Sequence, residues 1–149
     1  MKYIDMAYKQ ALKALKINEV PVGAVIVKNG EIIARAYNKK EINNDPLGHC
    51  EILAIKKACK KLKTWRLNDC ELYVTLEPCM MCLGAIIHAR IKKVYFGVND
   101  LRFGAIEGNM KILDEYNFNH HLEFVNLNDV KCGKILSDFF KERRNIKNK

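Results

Sequence analysis

The chain is predicted to fold as one α/β layered domain, and three observations carry that prediction. Its 149 residues amount to about one domain's length. Hydrophobic residues make up 49% with only 8 Gly and 3 Pro, a composition that fits a packed core and excludes disordered, collagenous and disulfide-scaffold chains. Amphipathic helical stretches alternate with short β-branched runs, the pattern of helices layered on a sheet.

The elements follow in order. Ile4, Tyr8, Leu12 and Leu15 recur at helical spacing over residues 2–16, with lysines on the other face. Residues 22–27 and 31–37 flank Lys28-Asn29-Gly30, whose Asn-Gly favours the positive φ of a hairpin turn. After a polar loop through Asp45-Pro46, residues 48–61 place Ile52, Ile55 and Cys59 on one helical face. A buried strand is expected over 72–76, a helix from Pro78, a strand over 93–98, a short strand over 122–126 and a long helix from Asp129. No repeat or linker interrupts this order, so residues 1–149 are read as a single domain with a basic C-terminal helix over about 129–149.

Charge and cysteine usage narrow the partners and the compartment. Lys and Arg number 26 against 17 Asp and Glu, a net charge of +9 that suggests a polyanionic partner. Residues 131–149 alone hold seven Lys and Arg against two acids. No stretch approaches the roughly 18 apolar residues of a membrane span. The first residues also lack a secretory pattern, so the cytoplasm is the expected compartment and no membrane partner is expected. The six cysteines are therefore read as reduced thiols or metal thiolates.

Two short segments concentrate the chemistry. In Glu77-Pro78-Cys79-Met80-Met81-Cys82, Pro78 suits the first turn of a helix, and cysteines three apart lie about 60° apart on the helical wheel, so both sulfurs can reach one ion. A helix N-terminus also favours the thiolate. Cys-x-x-Cys alone serves zinc and redox sites alike. His88, nine residues after Cys79, faces away from it. The second segment is His49-Cys50-Glu51. Residues two apart diverge on a helix, which favours a division of labour: His49 as a neutral imidazole ligand and Glu51 reaching the ion's open position. Taken without the cysteines, the same segment reads first as a capping histidine and a solvated first-turn acid.

His-x-Glu followed by Pro-Cys-x-x-Cys is the signature of zinc nucleobase deaminases. One His and two Cys leave a tetrahedral position open, as catalytic zinc sites do. Around it the chain resembles the bacterial tRNA adenosine deaminases. The blocks are Glu19-Val20-Pro21-Val22-Gly23-Ala24-Val25, Trp65-Arg66-Leu67, Tyr73-Val74-Thr75-Leu76-Glu77-Pro78-Cys79, Gly84-Ala85-Ile86-Ile87-His88-Ala89-Arg90-Ile91, Phe96-Gly97-Val98-Asn99-Asp100 with Gly104-Ala105, and Leu136-Ser137-Asp138-Phe139-Phe140 with Arg143-Arg144.

The resemblance implies a three-layer α/β/α cytidine deaminase-like fold with a central mixed sheet of about five strands. It implies one zinc per subunit on His49, Cys79 and Cys82, and Glu51 as the proton shuttle in adenosine-to-inosine conversion at the first anticodon position of tRNA-Arg. It further implies Asn38 on the flipped base, Pro21 and Val22 as pocket wall, Asp100 near a neighbouring ribose, and a homodimer. Phe139, Phe140, Arg143 and Arg144 would grip the anticodon stem-loop. Each of these peripheral residues also has an ordinary reading: Asn38 ending a strand, Pro21 and Val22 starting one, Asp100 shaping a turn, the phenylalanines packing. The chain departs from the family at Ile106-Glu107-Gly108-Asn109 and at Asn18, where Gly is common. A small-molecule purine or pyrimidine deaminase and a non-catalytic zinc RNA-binding module are the alternatives. Cys50, Cys59, Cys70 and Cys132 are read as buried apolar residues.

Overall fold

The computed structural model describes residues 2–147; Lys149 of the basic segment lies outside the described residues. The elements are α1 (Tyr3–Lys16), β1 (Gly23–Lys28), β2 (Glu31–Tyr37), α2 (Cys50–Leu62), β3 (Cys70–Leu76), α3 (Met80–His88), β4 (Lys93–Val98), α4 (Ile112–Glu115), β5 (Glu123–Asn126) and α5 (Val130–Lys147). The hairpin turns on Asn29 and Gly30 at φ 51° and 76°, the left-handed region its Asn-Gly selects.

The strands form one sheet in the order β2-β1-β3-β4-β5. β2, β1 and β3 pair antiparallel, whereas β3-β4 and β4-β5 are parallel, so the sheet is mixed and five-stranded as expected. Alternation along β1 separates the layers. Val25 and Val27 pack with Ile4 and Ala7 of α1 and Cys132 of α5, while Ala24 and Ile26 pack with Cys50, Ala54 and Ala58 of α2 and Leu83 and Ile86 of α3. Gly23 is required where β1 meets α1, because a Cβ there would strike the backbone of Ala7 and Ala11.

Two features differ from expectation, the start of α3 and the presence of α4; the other elements lie within two residues of their expected bounds. α3 begins at Met80, not Pro78, because Pro78 and Cys79 are held extended against Gly104 and Ala105: Cys79 bridges Gly104, and Ala105 N–H donates to the Pro78 carbonyl at 3.0 Å. The short helix α4 has no sequence signal, since four residues cannot display a helical period. Asn18 has φ 60°, which explains a position where Gly is common and Asn is tolerated.

Candidate active site

α2 and α3 begin at the same end of the domain, and their first residues carry the chemistry. His49 is the N-cap of α2 in extended conformation, yet its side chain caps nothing. Its Nδ1 instead lies 3.6 Å from Cys79 Sγ and 3.4 Å from Cys82 Sγ. The capping reading of His49 is therefore overturned. The expectation that both cysteines lie on regular helix is corrected too, since Cys79 is the extended N-cap of α3 and only Cys82 lies within it. The convergence survives because an N-cap side chain folds over the first turn.

These three residues are the one His/Cys/Asp/Glu cluster among the described residues whose donor atoms gather for a metal, all within 4.8 Å of one another. A tetrahedral ion bonded at about 2.3 Å to sulfur and about 2.0 Å to nitrogen holds such donors about 3.5 Å apart, so the spacing fits. The Cys82 thiol donates to Cys79, which together with His49 outweighs burial and brings the Cys79 thiol down to about 4. Cys82, keeping that proton and buried, is pushed up, and the hydrogen bond to Cys79 raises His49. A metal would displace these protons, which is why such sites bind metal more weakly in acid.

Glu51 is only 4% exposed, so the solvated-acid reading fails as well. Burial pushes its carboxyl above the usual range, partly offset by its backbone N–H and by the Cys50 thiol, which donates to Oε1 at 3.2 Å. A buried carboxyl raised in this way holds a proton more readily than a solvated one, which suits it to take up and return protons.

The neighbouring site candidates sort into two groups. Asn38 stands at the end of β2, and its Oδ1 accepts the Cys50 N–H at 2.8 Å, while its own N–H donates to the Val22 carbonyl at 3.2 Å. This bond orients the amide and leaves its Nδ2 group, a donor, for a ligand. Pro21 and Val22 are buried beside it, Val22 as part of the core. Asn38→Ala is expected to cost about 1–2 kcal/mol by stranding the Cys50 N–H at the helix start, measured as a shift in urea midpoint. Asp100 shapes a turn, its Oδ1 accepting from Arg102 and Phe103 N–H at 3.0 and 3.1 Å.

The C-terminal residues are not gathered with the metal donors. Phe139 is buried and Phe140 is 45% exposed. The Arg143 guanidinium lies 4.8 Å from the Phe139 ring centre and donates to the Asn18 carbonyl at 2.7 Å, which gives it an intramolecular role. Arg144 remains exposed. His88 is exposed at the far end of α3, as expected, and Cys50, Cys70 and Cys132 are buried while Cys59 is half-buried.

Sequence reasoning missed two buried acids. Glu19, 2% exposed, accepts the Ile42 N–H at 2.7 Å and holds the loop before His49. Glu77, also 2% exposed, accepts from loop residues 99–108. Burial would raise the Glu77 carboxyl, but the hydrogen bonds from Gly108, Asn99, Glu107 and Asp100 outweigh it and hold it low. The available signal was an acid set among apolar residues, Leu76-Glu77-Pro78 and Glu19-Val20-Pro21.

With the geometry in hand, the relatives of the chain can be placed. A family model for MafB19-like deaminases matches residues 1–144. The chain is 49% identical over 146 residues to the tRNA-specific adenosine deaminase of Bacillus subtilis, covering 97% of this chain and 91% of the relative. It is 46% identical to that of Aquifex aeolicus over 143 residues, covering 96% and 95%. A solved structure from a study of A-to-I editing by tRNA:A34 deaminases at the wobble position superposes with a TM-score of 0.86 at 38% identity, covering 90% of this chain and 98% of that one. A deaminase sheet, a His-Cys-Cys donor cluster and a buried glutamate thus accompany full-length similarity, and the chain belongs to the bacterial tRNA-specific adenosine deaminase family.

Proposed function

We propose that the protein deaminates adenosine to inosine at the first anticodon position of tRNA-Arg, using one zinc ion per subunit held by His49, Cys79 and Cys82. The observation that carries the reading is the convergence of these three donors at the start of α2, two residues ahead of the buried Glu51. Zinc bound there would supply a Lewis-acidic position for activating water. Glu51 takes a proton from the attacking water and returns protons to the adenine ring nitrogen and the departing amine, so that adenosine and water become inosine and ammonia. Asn38, its Oδ1 engaged by the Cys50 N–H, offers its amide N–H to the base, and Pro21 and Val22 wall the pocket. A single-stranded loop suits this chemistry because its target base leaves the stack at low cost.

The test offers the zinc-loaded protein an arginine tRNA anticodon stem-loop with adenosine at the wobble position, alongside free cytosine, guanine and adenosine. Inosine is expected in the RNA alone. Deamination confined to a free base or nucleoside would assign the chain to the small-molecule deaminases, and RNA binding without any product would leave only a binding module.

The RNA grip is proposed for the exposed members of α5, Phe140 and Arg144 with Lys141 and Lys147, and for Asp100 at a neighbouring ribose. Replacing Lys141 and Arg144 by Gln should lower the slope of log affinity against log salt by about 1.6, at roughly 0.7–0.9 per lost phosphate contact. An unchanged slope contradicts the grip. Truncating after Ser137 is a poorer test, because it removes the buried Phe139.

A homodimer is proposed through the apolar groove of about 350 Å³ where Met80, Leu83 and Ile87 of α3 face Ile112 and Phe118, with Met80 63% exposed. Sedimentation equilibrium should return the mass of two chains; a single-chain mass contradicts it. No described helix is long and apolar enough to cross a membrane, and the proposed compartment is the cytoplasm, where a tRNA substrate is met.

A further inference from the structure

We propose that Glu77 is a positioning residue for this reaction: its carboxylate fixes loop 99–108 beside Cys79, so that the loop's tip, residues 101–103, meets the substrate in one place. The inference rests on the RNA-deaminase reading above.

One carboxylate gathers five donors. Oε1 accepts from Asn99 Nδ2 and Asp100 N–H, both at 3.0 Å, and Oε2 accepts from the consecutive N–H groups of Ile106, Glu107 and Gly108 at 2.9, 2.8 and 2.9 Å. Three successive N–H groups on one anion form a backbone nest. Gly104 and Gly108 are needed beneath it, since a Cβ at either would collide with the Asp100 carbonyl and the Glu77 carboxylate. Both ends of the loop are thereby tied to the residue preceding Pro78-Cys79, and the Cys79–Gly104 bridge pins the loop's middle to a metal-donor position. The departure from the family at Ile106-Glu107 is tolerated because the nest uses their backbone N–H groups, which any residue but proline supplies, whereas position 108 has no room for a Cβ.

What this grip positions is exposed and suited to a nucleotide. Leu101 and Phe103 are 79% and 59% exposed, and the Arg102 guanidinium lies 5.2 Å from the Phe103 ring centre. An aromatic face beside a cation can stack a base and meet its phosphate. The groups assigned to this tip are the nucleotides beside the target adenosine, since Gly104 of the same loop bridges Cys79.

The donor directions make glutamine a discriminating replacement. Asn128 N–H donates to Asn126 Oδ1, Asn126 Nδ2 donates to Asn99 Oδ1, and Asn99 Nδ2 donates to Glu77 Oε1. Fixed backbone N–H groups, those of Asn128 and Asp100, bound this relay, and three more occupy Oε2. An amide at residue 77 has one acceptor oxygen, so it can serve one side only. Facing the nest, it leaves the Asp100 N–H without an acceptor and the relay with only the exposed Glu107 Oε1, which accepts from Asn99 Nδ2 at 3.2 Å. Adjusting Asn99 cannot restore the Asp100 bond.

The experiment compares wild type, Glu77→Gln and Asn126→Ala by zinc content, amide hydrogen exchange and steady-state kinetics on the wobble-adenosine stem-loop. Glu77→Gln is expected to keep one zinc per chain, to speed exchange at residues 100–103 about tenfold with α3 unaffected, and to raise KM about tenfold with kcat changed less than threefold. Asn126→Ala, at the β5 end of the relay, should shift KM the same way by a smaller factor. Wild-type exchange and KM in Glu77→Gln overturn the proposal, as does a parallel fall in zinc content and kcat with KM unchanged. Should Glu77→Gln fail to fold, Asn126→Ala decides by the same KM criterion. A wild-type enzyme inactive on the stem-loop overturns the RNA reading instead, and the exchange rates still report whether Glu77 holds the loop.

Discussion

Glu51→Gln is expected to lower turnover on the stem-loop by at least about 10²–10⁴-fold, while zinc content and RNA affinity stay near wild type. The side chain is the one acid buried at the donor cluster, and glutamine matches its shape but carries no exchangeable carboxyl proton. Only the proton transfers are removed, so kcat should fall with KM little changed. Stability carries an independent sign. Burial raises the folded carboxyl's pKa, so its ionisation opposes folding once pH exceeds the unfolded value near 4.3. An uncharged residue removes that penalty, and the variant should melt at the same or a higher temperature at neutral pH. Single-turnover rates with bound zinc measured in parallel check the pair of expectations. Turnover within a few-fold of wild type refutes the proton-shuttle role.

His49→Ala should act on the metal first. It removes one of three donors from a cluster spaced about 3.5 Å apart, and disturbing groups that merely support a ligand already costs 10–100-fold in metal affinity. Loss of the ligand itself should weaken zinc binding more than about 100-fold, leaving purified protein below one zinc per chain and inactive. Acid should mimic the change reversibly, because protons compete for the same imidazole and thiolates. Zinc stoichiometry by atomic absorption, with titration against a chelator of known affinity, reports both effects. Full zinc occupancy in His49→Ala at limiting metal removes the residue from the ligand set.

The parts of this molecule visible in the chain are those in which one residue's identity constrains its own backbone or chemistry. Asn29-Gly30 announces the hairpin because few residues accept its dihedrals, and His49, Glu51, Cys79 and Cys82 announce the centre because so few side chains bind metal or carry protons. Period alone places α1 and α2 against the sheet but misses their deepest faces: Leu12 is exposed and Ile52, Ile55 and Cys59 are only half-buried, while Ala7, Ala54 and Ala58 fill the core.

What stayed hidden depends on contacts distant in the chain. Nothing near Cys79 says that Gly104 will hold it extended, and nothing near Arg143 says that the Asn18 carbonyl, 125 residues away, will engage it. Glu77 is the strongest case. Its five partners include backbone N–H groups, which every residue possesses and which leave no mark in composition or period. Asn38 is intermediate, since the resemblance implies a ligand contact, whereas its bond to the Cys50 N–H became visible only when β2 and α2 were set side by side.

The central claim is tested most directly by incubating the zinc-loaded protein with total tRNA lacking inosine and sequencing every anticodon afterwards. Conversion of adenosine to inosine at the first anticodon position of tRNA-Arg, absent in the Glu51→Gln control, is the predicted result. An unmodified tRNA-Arg pool, with ammonia released from a free nucleobase by the same preparation, would contradict it.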